Sequence, residues 1–437
     1  MNLFFVLFWV VQTFVFFPIN ANATTWVSVD RMGTKGNGDS VSSGLSADGQ
    51  LVAFSSTASN LVSGDTNGVS DIFVCNQETG TIERVSVSST GTEGNDVSNY
   101  PAISADGRYV SFSSKASNLI TADTNGSFDV FVHDRRTGQT SRVSVTSLSS
   151  EGNGNSFSSA ISADGRWVAF SSRAKNLVPN DKNGSFDVFV HDRLLGRTTR
   201  VSIDSLGTEG NGFSYAPAIS ASGQFIAFAS KASNLVEGDT NSTCDIFVHD
   251  RETQVTTRVS VNSLGENANG QSDWPTLSAD GKVVAFGSKA SNLVLGDSNG
   301  MFDIFAHNME TGETTRVSVD SLGVQANQNG DSVASALSAD GRFVAFTSGA
   351  SNLTPSDTNG TFDVFVRDRQ TGATTRVSVD DLGTEGNNAS YVSALSADGR
   401  VVSFSSKASN IAAQDTHGRS NIFVQNLMSE VEDERPF

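Results

Sequence analysis

The chain has 437 residues, of which 37% are hydrophobic and 17% charged, with 40 glycines, a balance that favours many short strands and turns over long helices. Its 29 basic and 47 acidic side chains leave a net charge of -18, which argues against nucleic acid as a partner and fits a cationic partner or a bound metal ion. Two cysteines, Cys75 and Cys244, exclude a disulfide scaffold and read as small, separate, unbridged side chains.

The first expected element is a signal peptide over residues 1–23. Leu3 to Phe17 is almost wholly apolar, and Ala21-Asn22-Ala23 places small residues where a signal peptidase reads, so cleavage after Ala23 leaves Thr24 as the mature start. Met1-Asn2 departs from the pattern by lacking Lys or Arg. An uncleaved anchor is the alternative, although the apolar run is short of the roughly 20 residues a spanning helix needs. No later segment reads as a membrane span, and the expected location is periplasmic or extracellular.

Next comes a long repeat. Ser-Ala-Asp-Gly begins at Ser46, Ser104, Ser162, Ser278, Ser338 and Ser396, with Ser-Ala-Ser-Gly at Ser220, so seven units follow one another at 58 or 60 residues. Within one unit Pro101–Ser104, Arg108–Ser114, Asp129–His133 and Thr140–Val145 read as strands, and Asp106-Gly107 and Thr137-Gly138 as tight hairpin turns. The seventh unit lacks its outer strand before the acidic tail, 429–437. The missing strand stands at the other end, where Thr24–Asp30 (TTWVSVD) matches Thr314–Asp320 (TTRVSVD) in all but one residue. That permutation predicts an all-β, seven-bladed propeller of four-stranded antiparallel blades over residues 24–428, closed by the mature N-terminal strand.

PAISADGRYVSFSS followed by FDVFVHDRRTGQTSRVS resembles the blade repeat of TolB-type, WD-like propellers over nearly the whole mature chain. The resemblance is to the repeat rather than to TolB itself, whose additional N-terminal α/β domain has no expected counterpart. It implies the fold; such blades serve partner-binding proteins, peptidase propeller domains and polysaccharide lyases alike.

Hairpins put short turns at one end of every blade and the long second-to-third and fourth-to-first loops at the other, which is the expected working face. Tyr100, Phe157, Tyr215, Trp274 and Tyr391, with Val41 and Val333 at the corresponding places, are expected in the fourth-to-first loops just before the innermost strands. Aromatic faces at a channel mouth stack on sugar rings or bury peptide side chains; packing between blades is the competing role.

The second-to-third loop carries Asp-x-Asn-Gly-x-x-Asp. Its candidate metal ligands are Asp65, Asn67 and Asp71; Asp123, Asn125 and Asp129; Asp181, Asn183 and Asp187; Asp239, Asn241 and Asp245; Asp297, Asn299 and Asp303; and Asp357, Asn359 and Asp363. The last copy reads Asp415, His417 and Asn421 and is the weakest expected site. Alternate oxygen ligands around a Gly bend suit calcium, and so much like charge on one ring calls for counterions. An ion-free turn, with Asp and Asn capping backbone amides, explains the first half of the motif equally well.

Catalytic motifs are missing: there is no Gly-x-Ser-x-Gly, no His-Glu-x-x-His and no P-loop. His133, His191, His249 and His307 share one strand position in successive blades and read as half-exposed scaffold. Residues that break the repeat, Asp273, Arg367, His417 and Arg419, are the remaining candidates for one-off chemistry. The expected function is an exported, monomeric binding module for a protein or glycan of the cell envelope or exterior, non-enzymatic and calcium-stabilised through its loops. A carbohydrate-active enzyme of lyase or hydrolase type, with its site at the channel mouth, is the alternative.

Overall fold

The computed structural model describes residues 24–327, 330–412 and 418–427; the expected signal segment, the acidic tail, Asp415 and His417 lie outside them. Seven four-stranded antiparallel sheets follow in sequence. Blade one spans 40–84, blade two 98–142, blade three 156–200, blade four 214–258, blade five 272–316 and blade six 332–376. Blade seven takes three strands from 390–426 and its outermost from Thr24–Trp26, which pairs Thr24 with Gln425 and Trp26 with Phe423. The ring is therefore closed by the chain's own N-terminal strand.

Alternation builds each blade. Valine and phenylalanine recur on the second and third strands because both fit a pleated, doubly covered surface. In blade two Phe112 and Phe131 face each other in register, with ring centroids 5.9 Å apart and both fully buried. Equivalent pairs recur around the ring to Phe404 and Phe423. Each phenylalanine contributes roughly 1.5–3 kcal/mol of burial. The core lies between blades: Val130, Val132 and Val143 of blade two pack with Val168, Phe170 and Phe189 of blade three.

The repeated tetrad has a second use beyond its turn. Gly107 adopts φ 69°, and a Cβ there would fall 2.1 Å from Leu51 Cδ1 of the preceding blade, so the turn requires glycine for both conformation and space. The tetrad alanine of each blade donates its N–H to the alanine carbonyl of the next, from Ala47 to Ala105 through to Ala397, whose N–H returns to Ala47. These seven bonds form a closed belt at the short-turn end.

On each innermost strand the register shifts just after its start, as between Asn99 and Ala102. The third residue there lies at positive φ in blades one to six: Ser42, Tyr100, Ser158, Ala216, Trp274 and Ala334. This bulge re-aims the strand's first side chains at the long-loop face.

Candidate functional site

The acidic loops come first, since they shape the long-loop face. In blade two the last carboxylate of the motif, Asp129, is wholly buried. Its Oδ1 accepts from Ser144 Oγ, and its Oδ2 accepts from Asn125 Nδ2 at 2.8 Å and Arg142 Nη1 at 3.1 Å. Asn125 also donates to Gly152 O at 2.9 Å and accepts from the Ser127 amide at 2.7 Å, so the Asn amide is used up inside its own corner. Arg142 comes from the outermost strand. Its Nη1 stands 3.4 Å from Asp123 and 3.0 Å from Glu151 as well, so one guanidinium faces three carboxylates.

The arrangement recurs with Arg84, Arg200, Arg258, Arg316 and Arg376. The third carboxylate, Glu93, Glu151, Glu209 or Glu385, belongs to blades one, two, three and six. Asn267 and Gln325 take its place in blades four and five. Burial, followed by the charge of the second Asp, pushes Asp65, Asp123, Asp181 and Asp357 up to about 6. Asp239 and Asp297 are raised as well, again first by burial.

Blade seven keeps the serine of the corner, as Ser28, but changes its described charged positions. Trp26 stands for the arginine, Lys35 for the glutamate and Asn421 for the buried aspartate. Lys35 Nζ lies 4.4 Å over the Trp26 ring, and Trp26 Nε1 donates to Ser28 Oγ at 2.9 Å. Arginine and buried carboxylate have been exchanged together, as expected if each exists to satisfy the other.

Two of these corners have carboxylates close enough to hold a metal ion. Carboxylate oxygens of Asp181, Asp187 and Glu209 lie within 4.8 Å of one another, as do those of Asp357, Asp363 and Glu385. Asp181 Oδ1 is buried without a hydrogen bond. Yet Arg200 Nη1 sits 3.9, 3.5 and 2.7 Å from the first three carboxylates, and Arg376 Nη1 3.6, 3.7 and 2.8 Å from the second three. A metal ion there would have to displace a guanidinium.

The five aromatic residues fall into two sets rather than one. Phe157, Tyr215 and Tyr391 are second on their innermost strands, aligned with Val41 and Val333. Tyr100 and Trp274 are third, on the positive-φ bulge. An aromatic at positive φ is costly and is held by its surroundings. Trp274 is 37% and Tyr100 52% exposed. Gly287 beneath Trp274 leaves room for the indole, because a Cβ there would lie 3.1 Å from its ring.

Loop aromatics extend the set. Phe157 packs between Phe128 and Phe186, at centroid distances of 4.9 and 6.2 Å. Trp274 packs on Phe302 at 5.2 Å, and Tyr391 on Phe362 at 5.7 Å. Tyr215 donates to Asp273 of the next blade at 2.7 Å, which gives that repeat-breaking aspartate a linking role.

A ring of cations shares this face. Lys115, Arg173, Lys231, Lys289 and Lys407 each follow a second strand, and each backbone N–H bonds the residue just before the first strand, as Lys115 does to Val97 O at 3.0 Å. All five are exposed, and Lys289 Nζ lies 5.0 Å from the Phe302 ring. Blades one and six, which carry Val41 and Val333 in place of an aromatic, have Thr57 and Gly349 at the cationic position.

The remaining candidates are scaffold. The four histidines are buried rather than half-exposed; each Nδ1 pairs at 2.9 Å with a threonine of its own blade whose hydroxyl is tied to a carbonyl of the preceding loop. Burial lowers His191 and His249 to about 4. Arg367 replaces the histidine in blade six and donates to Thr374 Oγ1, Gly372 O and Asp320 O. The Arg419 carbonyl accepts from Asn421 Nδ2 at 3.3 Å. Cys75 and Cys244 are free and buried.

No protein-family model matches the chain, and no curated protein does. Among solved structures, an oligogalacturonate lyase in complex with manganese aligns with TM-score 0.55 at 12% identity, over 93% of this chain and 95% of that one. The β-propeller domain of the Trilobed protease from Pyrococcus furiosus, described as an open velcro topology, gives 0.54 at 12% identity over 91% and 99%. TolB from Acinetobacter baumannii gives 0.42 at 14% identity over 78% of this chain, which spans 63% of TolB. What is shared at these identities is the fold alone, a β-propeller.

Proposed function

We propose that the chain is an exported, non-catalytic binding module whose long-loop face holds a carboxylate-bearing glycan of the cell envelope or exterior. The observation that carries this reading is the pairing of half-exposed aromatic rings with exposed cations in the same five blades, and the loss of both together in blades one and six. Pyranose faces stack on such rings, and carboxylates pair with Lys and Arg beside them. In a chain of net charge -18 these exposed cations stand beside the aromatic rings, where they pair with anionic groups of a ligand, while the acidic corners are served by their own arginines. An oligogalacturonate lyase on the same fold supplies the second reading, cleavage of such a glycan.

The acidic loops serve the same face as scaffold: each arginine supplies the positive charge that calcium was expected to bring. Titration calorimetry with oligouronates and with neutral oligosaccharides of equal length tests the ligand class. Binding of the oligouronates alone, weakened by salt and by Trp274→Ala, supports it; equal binding of neutral chains, or none of either, overturns it. Release of shortened, unsaturated products during the titration would establish the lyase reading instead.

A further inference from the structure

At the outer edge between successive blades a serine from one blade's fourth-to-first loop meets a threonine on the next blade's outermost strand. The Thr140 amide donates to Ser89 Oγ at 3.0 Å, Thr198 to Ser147 at 3.1 Å, Thr256 to Ser205 at 3.1 Å, Thr314 to Ser263 at 3.0 Å and Thr374 to Ser321 at 2.9 Å. The serine also donates back in four of these junctions, as Ser147 Oγ does to Thr198 O at 3.4 Å. Each threonine hydroxyl donates to a loop carbonyl, and Thr24 keeps that bond, to Val379 O at 2.8 Å.

Two junctions depart from this pattern. Between blades seven and one both residues change, to Arg31 and Ile82. Between blades six and seven the threonine stays and the serine alone changes, so that Thr24 N lies 2.9 Å from Asp381 Oδ1. A carboxylate cannot donate, so exchanging serine for aspartate forfeits the return bond to the threonine carbonyl in exchange for a stronger acceptor. Against an ammonium both partners are ionised, and the bond becomes an ion pair as well. Thr24 is also the residue that follows the small-residue cleavage signal Ala21-Asn22-Ala23.

We infer that Asp381 is the receptor for a processed N-terminus: a signal peptidase cuts before Thr24, and the new α-ammonium locks onto Asp381 as blade seven closes. Hydrolysis adds water across the Ala23–Thr24 bond; the carbonyl carbon keeps the hydroxyl, and the acid proton passes to the freed amine. Processing thereby creates the charge that this one junction is built to hold. Nothing here depends on what the long-loop face binds.

N-terminal sequencing of the exported product of the full precursor gives Thr24 as the first residue; any other start overturns the assignment. Chains beginning at Thr24, or carrying one added glycine before it, are then melted with Asp381 and with Asp381→Ser, a serine being what five other junctions carry. The glycine lowers Tm by about 2 °C with Asp381, an effect that about 0.5 M salt shrinks, and has no comparable effect in the Asp381→Ser variant. An equal penalty in both backgrounds contradicts the ion pair.

Discussion

Six corners of the propeller enclose a guanidinium among carboxylates, and the seventh encloses an indole under a lysine. In blade two Arg142 faces Asp123, Asp129 and Glu151; in blade seven Trp26 lies beneath Lys35, and Asn421 takes the buried position. Both corners fix the same backbone: the side chains of Ser144 and Ser28 reach Asp129 and Asn421 respectively. The buried aspartate is therefore not required by the turn. It accompanies arginine and disappears with it.

Breaking one corner should cost most. Arg142→Met leaves Asp129 fully buried without its cation and lowers stability by about 3–5 kcal/mol in denaturant unfolding. Adding Asp129→Asn to that variant restores much of the loss, because the pair of changes imitates blade seven. The reverse, Asn421→Asp, buries a carboxylate beside an indole and costs about 1–3 kcal/mol, and Trp26→Arg on top of it recovers part.

Acidity separates the corners further. Asp65, Asp123, Asp181 and Asp357 hold their protons more tightly folded than unfolded. Their contribution to stability is therefore greatest below about pH 4 and is lost as pH rises through about 6. His191 and His249 act oppositely: buried neutral, they contribute fully above about pH 6.5 and lose that contribution as pH falls toward about 4. Glu209→Gln removes one carboxylate from the Asp181 corner, as blades four and five already do, so it makes the stability curve between about pH 4 and 6 less steep. Least is expected of Lys35→Ala, which removes a cation–π contact worth roughly 0.5–1 kcal/mol near the surface.

Much of this was legible in the sequence because repetition makes one chain its own comparison. The 58-residue spacing and the stray TTWVSVD strand lead directly to seven blades and their closure. The arginine is a different matter. Its signal was present, since TTRVSVD becomes TTWVSVD in the one unit where the buried Asp becomes Asn421, but the two positions lie on different strands and only the folded contact between their side chains shows that they meet. Reading the acidic loop alone left its charge without a partner. The two registers of the aromatic residues were countable, since Tyr100 and Trp274 stand 4 residues before the tetrad serine and Phe157, Tyr215 and Tyr391 stand 5 before it, whereas the bulge that puts the first pair at positive φ leaves no mark on a short apolar run. The histidines look half-exposed in an alternating strand, yet they are buried beside threonines tied to the preceding loop, which local alternation cannot register.

Whether arginine is the cation of the acidic loops is decided by calcium titration of chelator-treated protein, followed by both calorimetry and melting. With every guanidinium in place, no saturable heat is expected and Tm is unmoved by millimolar calcium, whereas the Arg142→Met variant gains Tm as calcium fills its emptied corner. Saturable calcium binding by the unaltered protein, reduced by Asp181→Asn and abolished when Asp357→Asn is added, would make calcium the resident cation and the arginine its mere neighbour.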